Sequence, residues 1–177
     1  LVGGHDRADA DVLVGLHGTS LRYNDAAMNK AFCKEPDSSL PPRCPACGGD
    51  GVQVADETLA AHVAREAAAA LAEPAYFCGS DTCPVAYFDL LERTIAASDA
   101  HGLPWPKDPG GPLCGCHGLT VDDVDRDLAE GVPTRVREVV RKAAEPGAAC
   151  ATRSADGRSC VARVQRYYMK RRAASGG

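Results

Sequence analysis

Nine cysteines, at positions 33, 44, 47, 78, 83, 114, 116, 150 and 160, constrain this 177-residue chain more than any other feature. Aromatic residues make up only 5% of the sequence and much of its apolar content is alanine, so two half-size lobes would each have a thin core. Small domains in that position take a staple, either disulfides or a metal. A disulfide framework suits secreted proteins. The odd count, the close C-x-x-C and C-x-C pairs and the absence of a signal-peptide pattern in these residues point instead to metal ligation. A reducing compartment follows, the cytoplasm or an organelle matrix or stroma.

The cysteines fall on either side of a breaker-rich stretch, residues 102–113, which holds Gly102, Pro104, Pro106, Pro109, Gly110, Gly111 and Pro112. That stretch reads as a linker. The expected organisation is an extension over 1–42, with a short helix near 24–31, a lobe over 43–101, the linker, a helical lobe over 114–172 and a tail over 173–177. In the first lobe the spacing predicts a helix over 57–72, capped by Asp56, with Leu59, Val63, Ala67 and Leu71 on one face and Pro74 beyond it. Tyr76-Phe77 and Val85–Phe88 read as strands flanking the second cysteine pair. In the second lobe, helices are predicted over 121–130, capped by Thr120 and stopped by Gly131, over 135–144, and over 160–172. The fold class is α+β, a small zinc-knuckle α/β lobe followed by an all-α lobe.

Cys44-Pro-Ala-Cys47-Gly48 has the form of a zinc knuckle, whose tight turn aims two sulfurs at one ion and whose glycine tolerates a left-handed backbone. Cys78 and Cys83 supply a second pair at C-x₄-C spacing. Four thiolates close a tetrahedron around Zn²⁺ and leave no position for water, so the site reads as structural. A rubredoxin-like iron centre uses the same ligands, and His62 in the intervening helix is an alternative ligand, although a lone helix histidine is more often packed or exposed.

Cys114-Gly-Cys116, Cys150 and Cys160 form the other set. A C-x-C pair is too tight for a zinc knuckle but suits a [2Fe–2S] cluster, which needs four thiolates. Oxidised and fully ligated, that cluster is a dianion, and the helix N-termini expected after Cys116 and Cys160 offer amides and a favourable dipole. His117 reads as a nearby donor or an exposed residue rather than a Rieske-type ligand. Asp122 and Asp123 read as first-turn acids complementing the dipole, not as a catalytic pair. Cys33 is left over as a reduced thiol.

Charge is uneven. Residues 117–177 hold 12 Lys/Arg against 8 Asp/Glu, and residues 1–116 hold 8 against 16. The cationic end could steer an acidic partner, with Arg135, Arg137, Arg141 and Lys142 as docking residues. No interleaved basic–aromatic stripe argues for nucleic acid, and no stretch approaches the ~18–20 apolar residues of a membrane span.

Arg43-Cys-Pro-Ala-Cys-Gly48, Thr58-Leu59, Tyr76-Phe77-Cys78, Cys83-Pro-Val-Ala-Tyr-Phe88 and Cys114-Gly-Cys116 together resemble the N-terminal domain of CopZ-type copper chaperones. The resemblance covers about residues 43–172. That family joins a zinc-binding unit to a [2Fe–2S] unit similar to the bacterioferritin-associated ferredoxin, in the variant whose last two cysteines lie far apart, as Cys150 and Cys160 do. The resemblance implies zinc ligands at Cys44, Cys47, Cys78 and Cys83 and cluster ligands at Cys114, Cys116, Cys150 and Cys160. It also implies a redox role, reduction of Cu²⁺ so that Cu⁺ can be passed on. The family's further domain with a Met-x-Cys-x-x-Cys loop is not among these residues. The expected function is one-electron transfer or copper trafficking without enzymatic turnover, through an exposed edge near 114–117 and toward a redox or metal-handling protein. A structural subunit of a larger redox complex and ferritin-linked iron release are the alternatives.

Overall fold

The computed structural model describes residues 40–175, so the expected helix near 24–31, most of the extension and Cys33 lie outside the described residues. The described residues belong to one compact unit.

Its first half is built on four short strands, β1 (Gly51–Val54), β2 (Ala75–Cys78), β3 (Val85–Phe88) and β4 (Thr94–Ala96), all antiparallel in the order β1-β2-β3-β4. Both central strands are buried along their whole length. Their side chains alternate between two apolar clusters: Ala75 and Phe77 on one face, Tyr76 and Cys78 on the other. An irregularity between Val85 and Tyr87 breaks the period of β3 and lets Ala86 and Tyr87 share one face while Val85 and Phe88 share the other. Tyr76 stacks on Phe88 with centroids 5.7 Å apart, and Phe77 meets Tyr87 edge-on at 5.5 Å. Such pairs fix sheet register through cross-strand packing. Because both faces are covered, β2 and β3 read as apolar runs rather than as the alternation of a half-solvated sheet.

The single helix expected over 57–72 is instead two pieces, α1 (Asp56–His62) and α2 (Arg65–Ala68), and Ala55 rather than Asp56 is the N-cap of α1. Val63 is extended, with φ −136° and ψ 143°, and bridges to Ala100. His101 N–H takes the His62 carbonyl that the next helical turn would have used. Burying Val63, only 2% exposed, in the sheet cluster outweighs a weak local preference for continuing an alanine-rich helix.

Residues 102–113 form a packed loop. Leu103 joins the cluster of the sheet half and Leu113 that of the helical half. The loop closes tightly enough that a Cβ on Gly111 would sit 2.2 Å from the Leu103 carbonyl oxygen. Trp105 meets Tyr167 edge-on at 4.8 Å.

The helical half contains α3 (Val121–Glu130), α4 (Thr134–Ala143), α5 (Cys150–Arg153) and α6 (Val161–Ser175). At the start of α3, Thr120 and Asp123 form a reciprocal capping box, and Gly131 ends the helix in the left-handed region at φ +73°. α4 has no side-chain cap of its own. Asp127 of α3, wholly buried, accepts hydrogen bonds from the backbone N–H of Arg135 and Val136 and from the Arg135 guanidinium, at 3.2, 2.9 and 2.8 Å. Leu113, Leu119, Val124, Val136, Val139 and Val164 close the core of this half.

Candidate metal centres

The first knuckle is held by its own backbone. Cys44 N–H donates to the Gly49 carbonyl and Gly48 N–H to that of Cys44, both at 2.8 Å. Gly48 takes the left-handed conformation at φ +69°, where a side chain would be strained. Residues 78–83 bring the second pair from the end of β2. Lys107 anchors that loop by donating to the carbonyls of Ser80 and Cys83 at 2.9 and 3.1 Å.

The sulfurs of Cys44, Cys47, Cys78 and Cys83 all lie within 4.8 Å of one another. Cys44 and Cys83 are 3.8 Å apart, and Cys47 and Cys78 are 3.6 Å apart. Zinc–sulfur bonds of about 2.3 Å in a tetrahedron require sulfurs roughly 3.8 Å apart, so this donor set fits a single zinc ion. The electrostatics agree. Cys47, the exposed member, has its thiol lowered to about 7 by the Gly49 backbone N–H, whereas burial pushes Cys78 up to about 12 and raises Cys83 as well. Buried sulfurs that resist ionising beside one another are stabilised as thiolates by a cation among them. His62 is not part of this group: its Nδ1 lies 2.8 Å from the His101 carbonyl oxygen.

The second quartet is drawn from three places. Cys114 and Cys116 sit on a loop closed by the Leu113 N–H to Leu119 carbonyl bond of 2.7 Å. Cys150 opens α5, and Cys160 immediately precedes α6. The glycine of the C-x-C pair is required by close approach, since a Cβ on Gly115 would lie 2.6 Å from the Arg153 carbonyl oxygen. The sulfurs of Cys116 and Cys150 are 3.9 Å apart. These four sulfurs do not form a compact ligand group as those of the first set do. The Cys160 thiol and the backbone N–H groups of His117 and Cys116 lower Cys114 to about 6, while burial and Cys150 raise Cys116 to about 12.

Three expectations change here. The amides at Cys114 come from the C-x-C loop itself. Those at the start of α3 are partly spent on its own capping box, which is also the role Asp123 plays. Of the exposed edge expected over 114–117, Cys114 is wholly buried, and the partly exposed cysteines of the quartet are Cys116 and Cys150. The docking residues are largely engaged: Arg135 pairs with Asp127 and Glu130, Arg141 with Glu138 and Glu145, and Lys142 with Glu138.

Sequence reasoning missed what the nine residues between Cys150 and Cys160 do. Ala155, 1% exposed, enters the apolar cluster of the sheet half. Tyr87 OH donates to the Ala155 carbonyl at 2.9 Å, and Thr58 Oγ1 donates to the Ala151 carbonyl, next to Cys150. Arg163 closes the arm onto Asp156 at 2.5 Å. The sheet half thus fixes the segment that carries two of the four sulfurs. The unusual length of that spacing was the available signal.

Residues 41–101 match the family model of a zinc-binding domain of the CopZ type. No curated protein matches the chain. The crystal structure of the N-terminal domain of Archaeoglobus fulgidus CopZ is similar to it at 23% identity and a TM-score of 0.58, covering 71% of this chain and 96% of that one. The first quartet therefore lies in a segment similar to a known zinc-binding domain, within a fold shared with the CopZ N-terminal domain.

Proposed function

We propose that this chain holds one structural zinc ion at Cys44, Cys47, Cys78 and Cys83 and one [2Fe–2S] cluster at Cys114, Cys116, Cys150 and Cys160. It would serve one-electron transfer or copper trafficking in a reducing compartment, without turnover of its own. The observation that carries this reading is the difference in shape between the two sulfur sets. The first is compact enough for a mononuclear tetrahedron. The second joins a C-x-C pair to two cysteines separated by nine residues, brings the Cys116 and Cys150 sulfurs to 3.9 Å, and supplies the four thiolates that a [2Fe–2S] core takes. The C-x-C loop contributes amides to sulfur, the kind of donor that stabilises an anionic cluster and tunes its potential. When bound, the cluster supplies one-electron redox chemistry; the protein's part is to bind it, orient it and leave one side accessible. The redox role toward copper rests on the likeness to CopZ-type proteins.

The partner is a redox or metal-handling protein. Among the described residues no helix is long and apolar enough to cross a membrane.

Anaerobically prepared protein tests the assignment through metal and acid-labile sulfide analysis with a visible spectrum. About two iron, two sulfide and one zinc per chain are expected. Zinc in both sites, or iron without sulfide, overturns it.

A further inference from the structure

The second quartet is lopsided. Cys114 and Cys160 are 0% and 1% exposed, whereas Cys116 and Cys150 are only partly buried. A cavity of about 280 Å³ opens on Cys116, bordered by His117, Lys142, Glu145, Ala149 and Arg153. Charge around this mouth is net positive. Glu145 is engaged by Arg141, and Lys142 lies 3.3 Å from Glu138. Arg153 makes no ion pair among the described residues, and its charge acts on the Cys116 sulfur. A second, larger cationic groove, about 450 Å³, runs past Trp105, Arg166 and Lys170. It borders the segment around Cys160, whose sulfur is shielded, so it offers no close approach to a thiolate.

Resting on the reading that this quartet holds a [2Fe–2S] cluster, we infer that the Cys116–Cys150 edge is where electrons enter and leave. The Arg153-centred rim docks a redox protein whose own centre is ringed by acidic residues. Electron transfer slows steeply with distance, so the less buried side of the quartet, at Cys116 and Cys150, would offer the shortest path to a cluster held there. One electron crosses in each encounter. A cluster held by these residues would give up one electron as the partner's centre takes one, with no bond made or broken and no proton moved. Opposite charge on the partner raises the encounter rate and orients it.

Stopped-flow oxidation of the reduced full chain by ferricyanide, a trianion, and by hexaammineruthenium(III), a trication, tests this. Arg153→Glu should slow ferricyanide on the order of tenfold at low ionic strength and leave the trication no slower. The difference should vanish near 1 M salt, where the Debye length is about 3 Å. Arg166→Glu makes the same charge change in the other groove and should alter neither rate by more than about twofold. Calorimetric titration of the oxidised protein with hexacyanochromate(III), which binds without exchanging electrons, should show weaker binding in Arg153→Glu than in wild type. If Arg153→Glu loses iron, Arg153→Gln and Lys142→Gln carry the same prediction at smaller size. Equal or greater slowing by Arg166→Glu overturns the inference, as does an unchanged ferricyanide rate in an Arg153 variant with full iron and sulfide. Wild-type protein without sulfide removes the cluster reading itself, and this inference with it.

Discussion

Replacing Asp127 by Ala should cost about 3 kcal/mol of stability, a large part of the roughly 5–15 kcal/mol that holds a domain folded. Three hydrogen bonds end on this carboxylate, and its residue is wholly buried. Losing it strands the Val136 N–H, a buried donor, at about 1–3 kcal/mol. It also removes the acceptor of the Arg135 N–H in the first turn of α4, worth about 1 kcal/mol. The Arg135 guanidinium adds little, because its side chain is 34% exposed and keeps Glu130 at 2.9 Å. The total falls at the low end of the ~3–5 kcal/mol seen when one partner of a buried pair is removed. With a urea slope of about 2 kcal/mol per molar, the midpoint should fall by about 1.5 M in denaturation followed by circular dichroism. Burial raises the Asp127 carboxyl, but its donors outweigh that and hold it below the usual carboxylate value. The sign follows: the contribution is complete above the unfolded pKa of about 3.9 and is lost as the pH falls through the lower native value. The Asp127→Ala penalty should therefore shrink in acid. A loss under about 1 kcal/mol at neutral pH, or a penalty that grows below pH 4, would refute the claim that this carboxylate anchors α4.

Three other perturbations separate the halves of the molecule. Gly115→Ala drives a Cβ into the Arg153 carbonyl and should lower iron and sulfide per chain while zinc stays near one, measured by elemental analysis. Tyr87→Phe leaves the Ala155 carbonyl without its donor and should cost about 1–2 kcal/mol in denaturant titration, with zinc retained. Removing zinc with a strong chelator should abolish the near-ultraviolet circular dichroism of Tyr76 and Phe88. The cluster they form is completed by Cys44, Cys78 and Cys83, and a structural zinc of this kind contributes about 10–16 kcal/mol.

The elements legible in the sequence were those set by neighbours in the chain. Thr120 and Gly131 mark the ends of α3 because an N-cap and a left-handed C-cap involve only residues within a few positions, although the reciprocal bond of Asp123 was missed. Gly48 was legible for the same reason. The break at Val63 was not, since the bridge to Ala100 and the His101 bond that replace helical hydrogen bonds come from nearly 40 residues away. β1 and β4 were missed because short strands such as Gly51–Val54 carry little pattern until a partner supplies the register. The arginines misled because a charge run shows its sign but not its pairing. Arg135 and Arg141 face acids three to eight positions away, and their charge is largely spent within the α3–α4 pair.

The spacing of the last two cysteines carries more information than ligand counting takes from it. Two thiolates on one centre can be supplied by residues a few positions apart, so nine intervening residues need another reason to exist. Here they reach across to the sheet half: Ala155 is buried there, Tyr87 and Thr58 hold carbonyls of the arm, and Asp156 returns the chain through Arg163 toward α6. Ordering such an arm on its own would cost about 1–2 kcal/mol per residue in backbone entropy. Docking it on a sheet braced by the first quartet offsets that cost and places Cys150 beside Cys116. On this argument the first quartet serves the second through the arm. Its test is asymmetric: damage to the first site should release iron and zinc together, while Gly115→Ala should release iron alone.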